Sequence, residues 1–592
     1  MSANIKASVD GTQAIIGVGG VDQMTVSNAG VVTANSFVGS ASSATALATG
    51  STTARTLANR FADVVNVKDF GAVGDGVADD TAAIQAAINA GGNRSVYIPQ
   101  GTYKVTDKIT IQTLGIKFYG DSVHKSVFLI NASSFNMSAT SVLQLKNGVG
   151  QQEPGPNITD IGFKFIQPDT NIRANVNQYP PAIDASNCPR FNIGNIRISG
   201  AWDGINMDQN SGGSYIGFAE IGTLNRGIYG GGSYDFIHIN TIHHWPFDLN
   251  APNLLSIFQD GNNFAMDIGR IDGLDIHSFS TFCGRVRIGS TLGINGFGTI
   301  SNLQLDGRNG KLEMSSGWYS ISSLYSTSDL INDYAIKITG GILSVSSYWL
   351  LPQSTGTQSF IECDGGELVM NAGQSINCSP NAPVFELKSG TMILTSHYFN
   401  HGTNQTRTAP FVKASGGRLS MSSCRWNDKG TGSGNAFEIV NDEWHDIDAS
   451  SYLDWNAVVP AYQGLGSYGV PTSWTPTITS SIGSITSYVI NFARFIKKNK
   501  LCQFDISLKI TNAGTGSGTL LITLPPIGAP LAIDPNVQIM SVFGQEIAPT
   551  GAALIGSIAN SINPLISMRY YNWTTCILTN NELVIQGTIK LK

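Results

Sequence analysis

An apolar pattern returns along this chain with a period slightly above twenty residues. The segments FNIGNIRISGAWDGI (191–205), SYIGFAEIGTLNRGI (214–228) and DFIHINTIHHWPFDL (235–249) share it. Ile193, Ile196, Ile198 and Ile205 of the first are met 23 positions later by Ile216, Ala219, Ile221 and Ile228 of the second. Ile237, Ile242 and Leu249 of the third align with the second at an offset of 21. A fourth segment, DIGRIDGLDIHSFSTF (267–282), follows an excursion at 250–265. Such a period is one coil of a β-solenoid: a coil cannot bury its apolar face alone and must stack on its neighbours. Short apolar runs separated by Gly, Asn, Asp and Ser continue to about residue 455, so the predicted body spans 65–455.

The stretch from Val65 to Val105 places the start of that body. Val65–Val67 is followed by turn residues Gly71, Gly74 and Gly76, and Asp79 and Asp80 stand where a helix N-cap belongs. The run TAAIQAAINA puts Ile84, Ala87 and Ile88 on one face of a short helix that Gly91-Gly92 ends. Ser95–Ile98 reads as a strand closing on Pro99. An acidic metal loop is the competing reading, and no liganding Glu follows at calcium-loop spacing. This segment resembles the first rung of the right-handed parallel β-helix of pectate-lyase-like proteins.

Composition narrows the class. Only 13% of the 592 residues are charged and 66 are Gly, as in an all-β protein with many tight turns. The formal net charge of −6 argues against a nucleic-acid partner. Seven cysteines lie scattered with no CxxC pair and read as reduced, mostly buried thiols. No apolar run reaches the roughly 18 residues of a membrane span, and AIIGVGG is short for a signal sequence. We therefore expect no membrane partner, no metal and no cofactor, and synthesis in a cytoplasm.

The flanks differ from the body. Residues 1–38 carry β-prone runs around an Asp10-Gly11 turn, and 39–64 begin Ala/Ser/Thr-rich, as a stem or neck or as disorder. Proline and glycine gather in 456–473, which reads as a linker; 474–592 alternate as an antiparallel β-sandwich does. The opening segment with MTVSNAGVVTANSFVG, the central NSGGSYIGFAEIGTLNRGIYGGGSYDFIHINTIHHWPFDL and the C-terminal INFARFIKKNKLCQFDISLKITNAGTGSGTLLITLPP together resemble bacteriophage tailspikes. That resemblance implies a homotrimer in a virion tail, attached to phage tail or baseplate proteins through its N-terminus. It also implies extracellular action on a bacterial capsular polysaccharide, which it binds and cleaves. Fold alone does not establish catalysis.

Hydrolysis of a glycosidic bond needs two carboxylates, one to protonate the leaving oxygen and one to attack or to activate water. Equivalent positions on neighbouring coils lie about 4.8 Å apart, and two coils apart about 9.6 Å. A retaining pair needs about 5–5.5 Å and an inverting pair about 6.5–9.5 Å. The alignment above puts Arg197, Glu220 and Thr241 in one outward column, with Asp272 joining if the fourth coil keeps register. Glu220 is thus the first candidate carboxylate and Asp272 the second, with Asp248 and Asp235 as alternative partners. Asp203, Asp208, Asp260 and Asp275 are weaker, since an Asp in a solenoid commonly caps a turn.

His243, His244 and Trp245 read either as a sugar subsite or as a Trp-Pro corner packed between coils. Trp202, Tyr215 and Tyr229 lie nearby in sequence. Arg197 and Arg270 suit acidic sugars or surface ion pairs. A lyase remains open, with His243, His244 or Arg270 serving, as does a Ser-His-Asp deacetylase without a GxSxG elbow. A non-catalytic adhesin is the third alternative.

Overall fold

The computed structural model describes residues 4–7, 13–18, 21–27, 32–34, 44–112, 115–147, 154–247, 249, 252–289, 295–327, 333–351, 356–376, 379–401, 408–428, 437–439, 446–447, 472–498, 501–526, 542–548, 553–558, 565–570 and 575–590. Asp248, Cys378, the Asp10-Gly11 turn and almost all of the 456–473 segment lie outside the described residues.

The chain is all-β, a right-handed parallel solenoid followed by antiparallel sheets. Strands from Val64–Asn66 to Asp446–Ile447 join into one 31-stranded parallel ladder. The ladder begins against the helix Thr81–Gly91, whose buried face is Ile84, Ala87, Ile88 and Gly91. Asp79 Oδ1 accepts from the Thr81 amide and hydroxyl at the start of this helix. Asp80 instead turns back: its buried carboxylate accepts from the amides of Val73 and Gly74, so it staples the preceding loop.

Each coil has three strand segments. The long strand Asn192–Asn206 shows this, because it pairs in turn with Asn157–Thr159, Ile161–Ile166 and Ile183–Asp184 of the coil before it. Gly200, at φ 73°, makes one corner. The corner between the first and second segments shows as two successive outward residues, for example Ser322-Ser323 and Ser346-Ser347 within strands that otherwise alternate. Inward positions stack as apolar columns along the axis. Ile193, Ile216, Ile239, Ile276, Ile300, Ile321 and Val345 form one such column, all fully buried. Columns of this kind tie each coil to the next and make the core continuous.

The ladder corrects one expected alignment. Ile216 pairs with Ile239 and Ala219 with Ile242, so the third coil follows the second at 23 positions, not 21. Outward columns change with it, as described below.

The N-terminal strands Asn4–Ala7, Gln13–Val18, Val21–Ser27 and Val32–Ala34 form an antiparallel meander. Between it and the solenoid, Thr45–Ala46 pairs with Arg55–Thr56 and the one-turn helix Leu57–Phe61 follows. Beyond the solenoid, nine strands from Thr472–Ser473 to Asn581–Lys590 make an antiparallel sheet around a separate core that includes Phe504, Ile506, Leu508 and Ile585. Cys188, Cys283, Cys363, Cys424, Cys502 and Cys576 are buried free thiols. No helix among the described residues is long and apolar enough to cross a membrane.

Candidate functional site

Two clusters emerge from the predicted residues, on different parts of the coil. The first sits on the second strand segment. Arg197 pairs in the ladder with Glu220, Glu220 with His243, and His243 with Ser280. His243 therefore takes the column position expected for Thr241, which instead pairs with Phe218 and Ser278. Arg197 Nη1 donates to Glu220 Oε2 at 2.6 Å, and its guanidinium lies 4.8 Å from the Phe247 ring centre. Burial lowers the pKa of His243, and the charge of Glu220 partly offsets this. Its ring abuts Trp245 at 5.5 Å and Phe247 at 5.0 Å. Trp245 packs on Phe282 at 4.6 Å and keeps 37% of its surface exposed, so it is both a packing residue and an accessible ring.

The second cluster lies at the edge where the first segment begins. Asp272 does not join the column of Glu220: it pairs with Phe297 at the start of its own strand. Ser214, Ile237 and Leu274 are equivalent positions, and Glu220 lies six residues beyond Ser214 while Asp272 precedes Leu274. About 26 Å of strand path, eight residues at about 3.3 Å each, therefore separates the two acids along the coil, besides two coil spacings. That exceeds the span of any glycosidase pair.

Asp272 shares its edge with Asp235 instead. Ser233 bridges Ile271, the Asp272 amide donates to the Ser233 carbonyl at 3.1 Å, and Ile237 pairs with Leu274. Asp235 and Asp272 thus lie at one edge on adjacent coils, where the register passes from Ser233–Ile271 to Ile237–Leu274, and Asp235 Oδ2 faces Gly213 of the preceding coil. Arg270 grips Asp272 with two hydrogen bonds of 2.9 and 2.6 Å, beneath the Tyr234 ring at 4.6 Å. Asp235 is exposed and accepts from the Phe236 amide at 2.9 Å. Arg190 approaches the same turn: a Cβ on Gly213 would lie 3.4 Å from Asp235 Oδ2 and 3.8 Å from Arg190 Nε.

Exposed rings frame this edge. Tyr234 is 67% exposed, Phe236 54%, Phe297 48% and Trp318 53%. The last two continue the ladder column of Asp272. Buried Tyr319 reaches Gly296 at the same edge with no hydrogen-bond partner for its hydroxyl, and burial followed by the charge of Asp272 raises its pKa. Sequence reasoning missed Phe236, Phe297, Trp318 and Tyr319. The column was the signal that would have found them, and it needs the register.

Other predicted residues lie elsewhere. His244 is fully buried, hydrogen-bonded to Thr281 and Thr223 across the coils and stacked on Phe258, so it cannot touch a sugar. Tyr229 is 7% exposed on the third segment, under Arg226 at 3.6 Å, and is closed off as well. Arg226 is itself tied to Asp203. Trp202 is half-buried, with Arg173 over its ring, and Arg173 holds Asp260. Tyr215 remains accessible, stacked on His238 at 5.3 Å, and His238 bonds Asp275 at 2.7 Å.

Residues 64–246 match the family described as rhamnogalacturonase A/epimerase, pectate lyase-like. This part of the solenoid is pectate-lyase-like. Both clusters straddle the C-terminal end of the pectate-lyase-like segment, with Arg197, Glu220, Asp235 and His243 inside it and Asp272 and Trp318 beyond. Over 44 residues the chain is 66% identical to mannuronan C5-epimerase AlgE5 of Azotobacter vinelandii, 7% of this chain and 4% of that protein. The chain therefore spans a small fraction of that relative. Of solved structures, the Dettilon tailspike protein aligns at 12% identity and a TM-score of 0.44, over 91% of this chain and 96% of that one. The tailspike of Pseudomonas phage phi297 aligns at 11% identity and a TM-score of 0.37, over 90% and 99%.

Proposed function

We propose that the chain is a phage tailspike that binds and hydrolyses a bacterial surface polysaccharide, with Asp235 and Asp272 as the carboxylate pair. One observation supports this reading: two acidic residues lie on adjacent coils at an edge lined by four exposed aromatic rings. The coil spacing of about 4.8 Å suits a retaining pair at about 5–5.5 Å. Asp272, held by the Arg270 fork, is the nucleophile. Asp235, open to solvent, is the proton donor that later activates water. The family match adds a fold used on polysaccharides, and the order of adaptor, neck, solenoid and sandwich in the sequence supplies the tailspike reading.

The test is the product. Hydrolysis releases oligosaccharides with new reducing ends and no unsaturated sugar. A double bond at the new non-reducing end would replace the hydrolase by a lyase.

A second reading rests on the Arg197–Glu220–His243 column. Its imidazole, kept neutral by burial, is a base, and an arginine beside it would offset a uronate carboxylate. A β-elimination or epimerisation of an acidic polymer would use that column, and the name of the A. vinelandii relative points to such a polymer.

The proposed assembly is a homotrimer, since a fibre attached to a symmetric tail requires closed cyclic symmetry. Light scattering of the full chain should give three times 62.8 kDa. A monomer at micromolar concentration would exclude it.

A further inference from the structure

The three strand segments of the coil differ sharply in charge. The third segment carries a ladder of ions across successive coils: Asp267 with Arg287, Arg285 with Glu313, and Glu362 with both Lys337 and Lys388. The first segment carries no lysine or arginine in any of its strands from Asn192 to Ser347. Its outward positions are acids, amides, hydroxyls, rings and the imidazoles of His238 and His277, of which His238 is bonded to Asp275. Asp275, Thr299, Ser320 and Ser344 form one column, and Asp272, Phe297, Trp318 and Ile342 the next. At its edge Arg270 is committed to Asp272 by two hydrogen bonds, and Arg190 stands beside the Asp235 carboxylate.

Recognition of an anionic polymer commonly uses arginine or lysine to offset its carboxylates, arginine through paired hydrogen bonds. A surface rich in hydroxyls and exposed rings, with acids and no lysine or arginine in its strands, offers such a polymer few paired contacts. It suits uncharged sugars, whose hydroxyls exchange hydrogen bonds with Ser, Thr and Asp and whose C–H faces stack on aromatic rings. The rings are spaced by coil. The side chain of Phe236 lies 3.2 Å from where a Cβ on Gly273 would stand, Phe297 is 3.9 Å from the same point, and Trp318 follows Phe297 in the ladder. They make a track parallel to the solenoid axis that starts at the carboxylate pair.

We infer that the first-segment face binds an electrically neutral stretch of polysaccharide, laid along the solenoid axis with its rings on Phe236, Phe297 and Trp318. This deepens the hydrolase reading by fixing the class of sugar at its site, and it rests on that reading for the polymer itself. It stands against the second reading, which needs a uronate.

The test uses the full-length protein on an array of purified bacterial capsular and O-antigen repeats, neutral and uronate-containing. Retention on neutral repeats only, unchanged between low and high salt, is the expected result. Trp318→Ala and Phe297→Ala should each weaken retention about tenfold, as the loss of a stacked ring does, and Trp318→Tyr should restore most of it. Both rings are about half exposed, so folding and oligomeric mass should not change. Retention on uronate repeats alone, abolition by salt, or retention on no repeat overturns the inference. A change of oligomeric mass in Trp318→Ala overturns it too and gives the face to a second copy of the chain. Binding of a neutral polymer without cleavage would sink the hydrolase reading and leave this one standing. Cleavage of an acidic polymer would do the reverse.

Discussion

Asp272→Asn should lower polymer cleavage by about 10²–10⁴-fold, the range that a positioned acid, base or nucleophile contributes. The substitution is nearly isosteric and removes the charge that Arg270 grips. Both side chains are about four-fifths buried, at 21% and 23% exposure, so a small loss of stability is expected alongside. The measurement that separates the two effects is polymer binding, which should persist. Asp235→Asn should lose a similar factor and shift the pH profile as well, since it removes the proton donor. Glu220→Gln is the decisive comparison. In the ladder, Glu220 has Arg197 and His243 on either side and no second carboxylate on an adjacent coil. The hydrolase reading therefore predicts a change in rate of less than about tenfold from it, against the larger range above. If Glu220→Gln abolishes cleavage and Asp272→Asn does not, chemistry belongs to the Arg197–Glu220–His243 column.

Acid should destabilise the solenoid steeply, through two histidines that have no catalytic task. His244 lies between the hydroxyls of Thr281 and Thr223 and against Phe258, with His243 adding a repulsive charge. His397 lies between Tyr348 and Ser375, at 2.6 and 3.0 Å, with Phe385 and Phe399 against its ring. Burial lowers the pKa of each to about 3, from 6.5. Below its ordinary value the unfolded chain binds a proton that the folded chain refuses, so stability is fully present above about pH 6.5 and falls as pH drops towards 3. Each group contributes about 1.4 kcal/mol per pH unit in that window, and the two together about 2.7. Glu362, where burial raises the pKa but the hydrogen bonds and charges of its two lysines outweigh it and leave it lowered, loses its contribution in the same direction as it protonates. Denaturant midpoints between pH 7 and 4 measure the slope. His397→Phe should cost about 1–3 kcal/mol at pH 7, because two buried hydroxyls lose their partner. It should also remove one histidine's share of the slope. A slope unchanged by that substitution would place the acid sensitivity elsewhere.

The solenoid itself was legible in the chain. Ile193, Ile196 and Ile198 recur as Ile216, Ala219 and Ile221, and they pair as read. The helix Thr81–Gly91 buries the face expected of it, because 3.6-residue periodicity and flanking Asp and Gly are local signals. The third coil was misaligned for a physical reason. A slip of two residues keeps every side chain on its face, and Ile237 and Ile239 both point inward. Apolar pattern cannot distinguish an offset of 21 from one of 23; only the paired backbone does, and it puts His243 beside Glu220. The excursion between His244 and Asp272 hid the next register in the same way. Burial was likewise a tertiary decision. Adjacent histidines are alike in sequence, yet alternation turns His243 outward and seals His244 among three coils. Which acids share an edge, and which rings frame them, depends on residues brought together by stacking at long sequence separation. The apolar period already required that coils stack, and only the stacking brings Asp235 and Asp272 to one edge and puts Phe297 and Trp318 in line with Asp272.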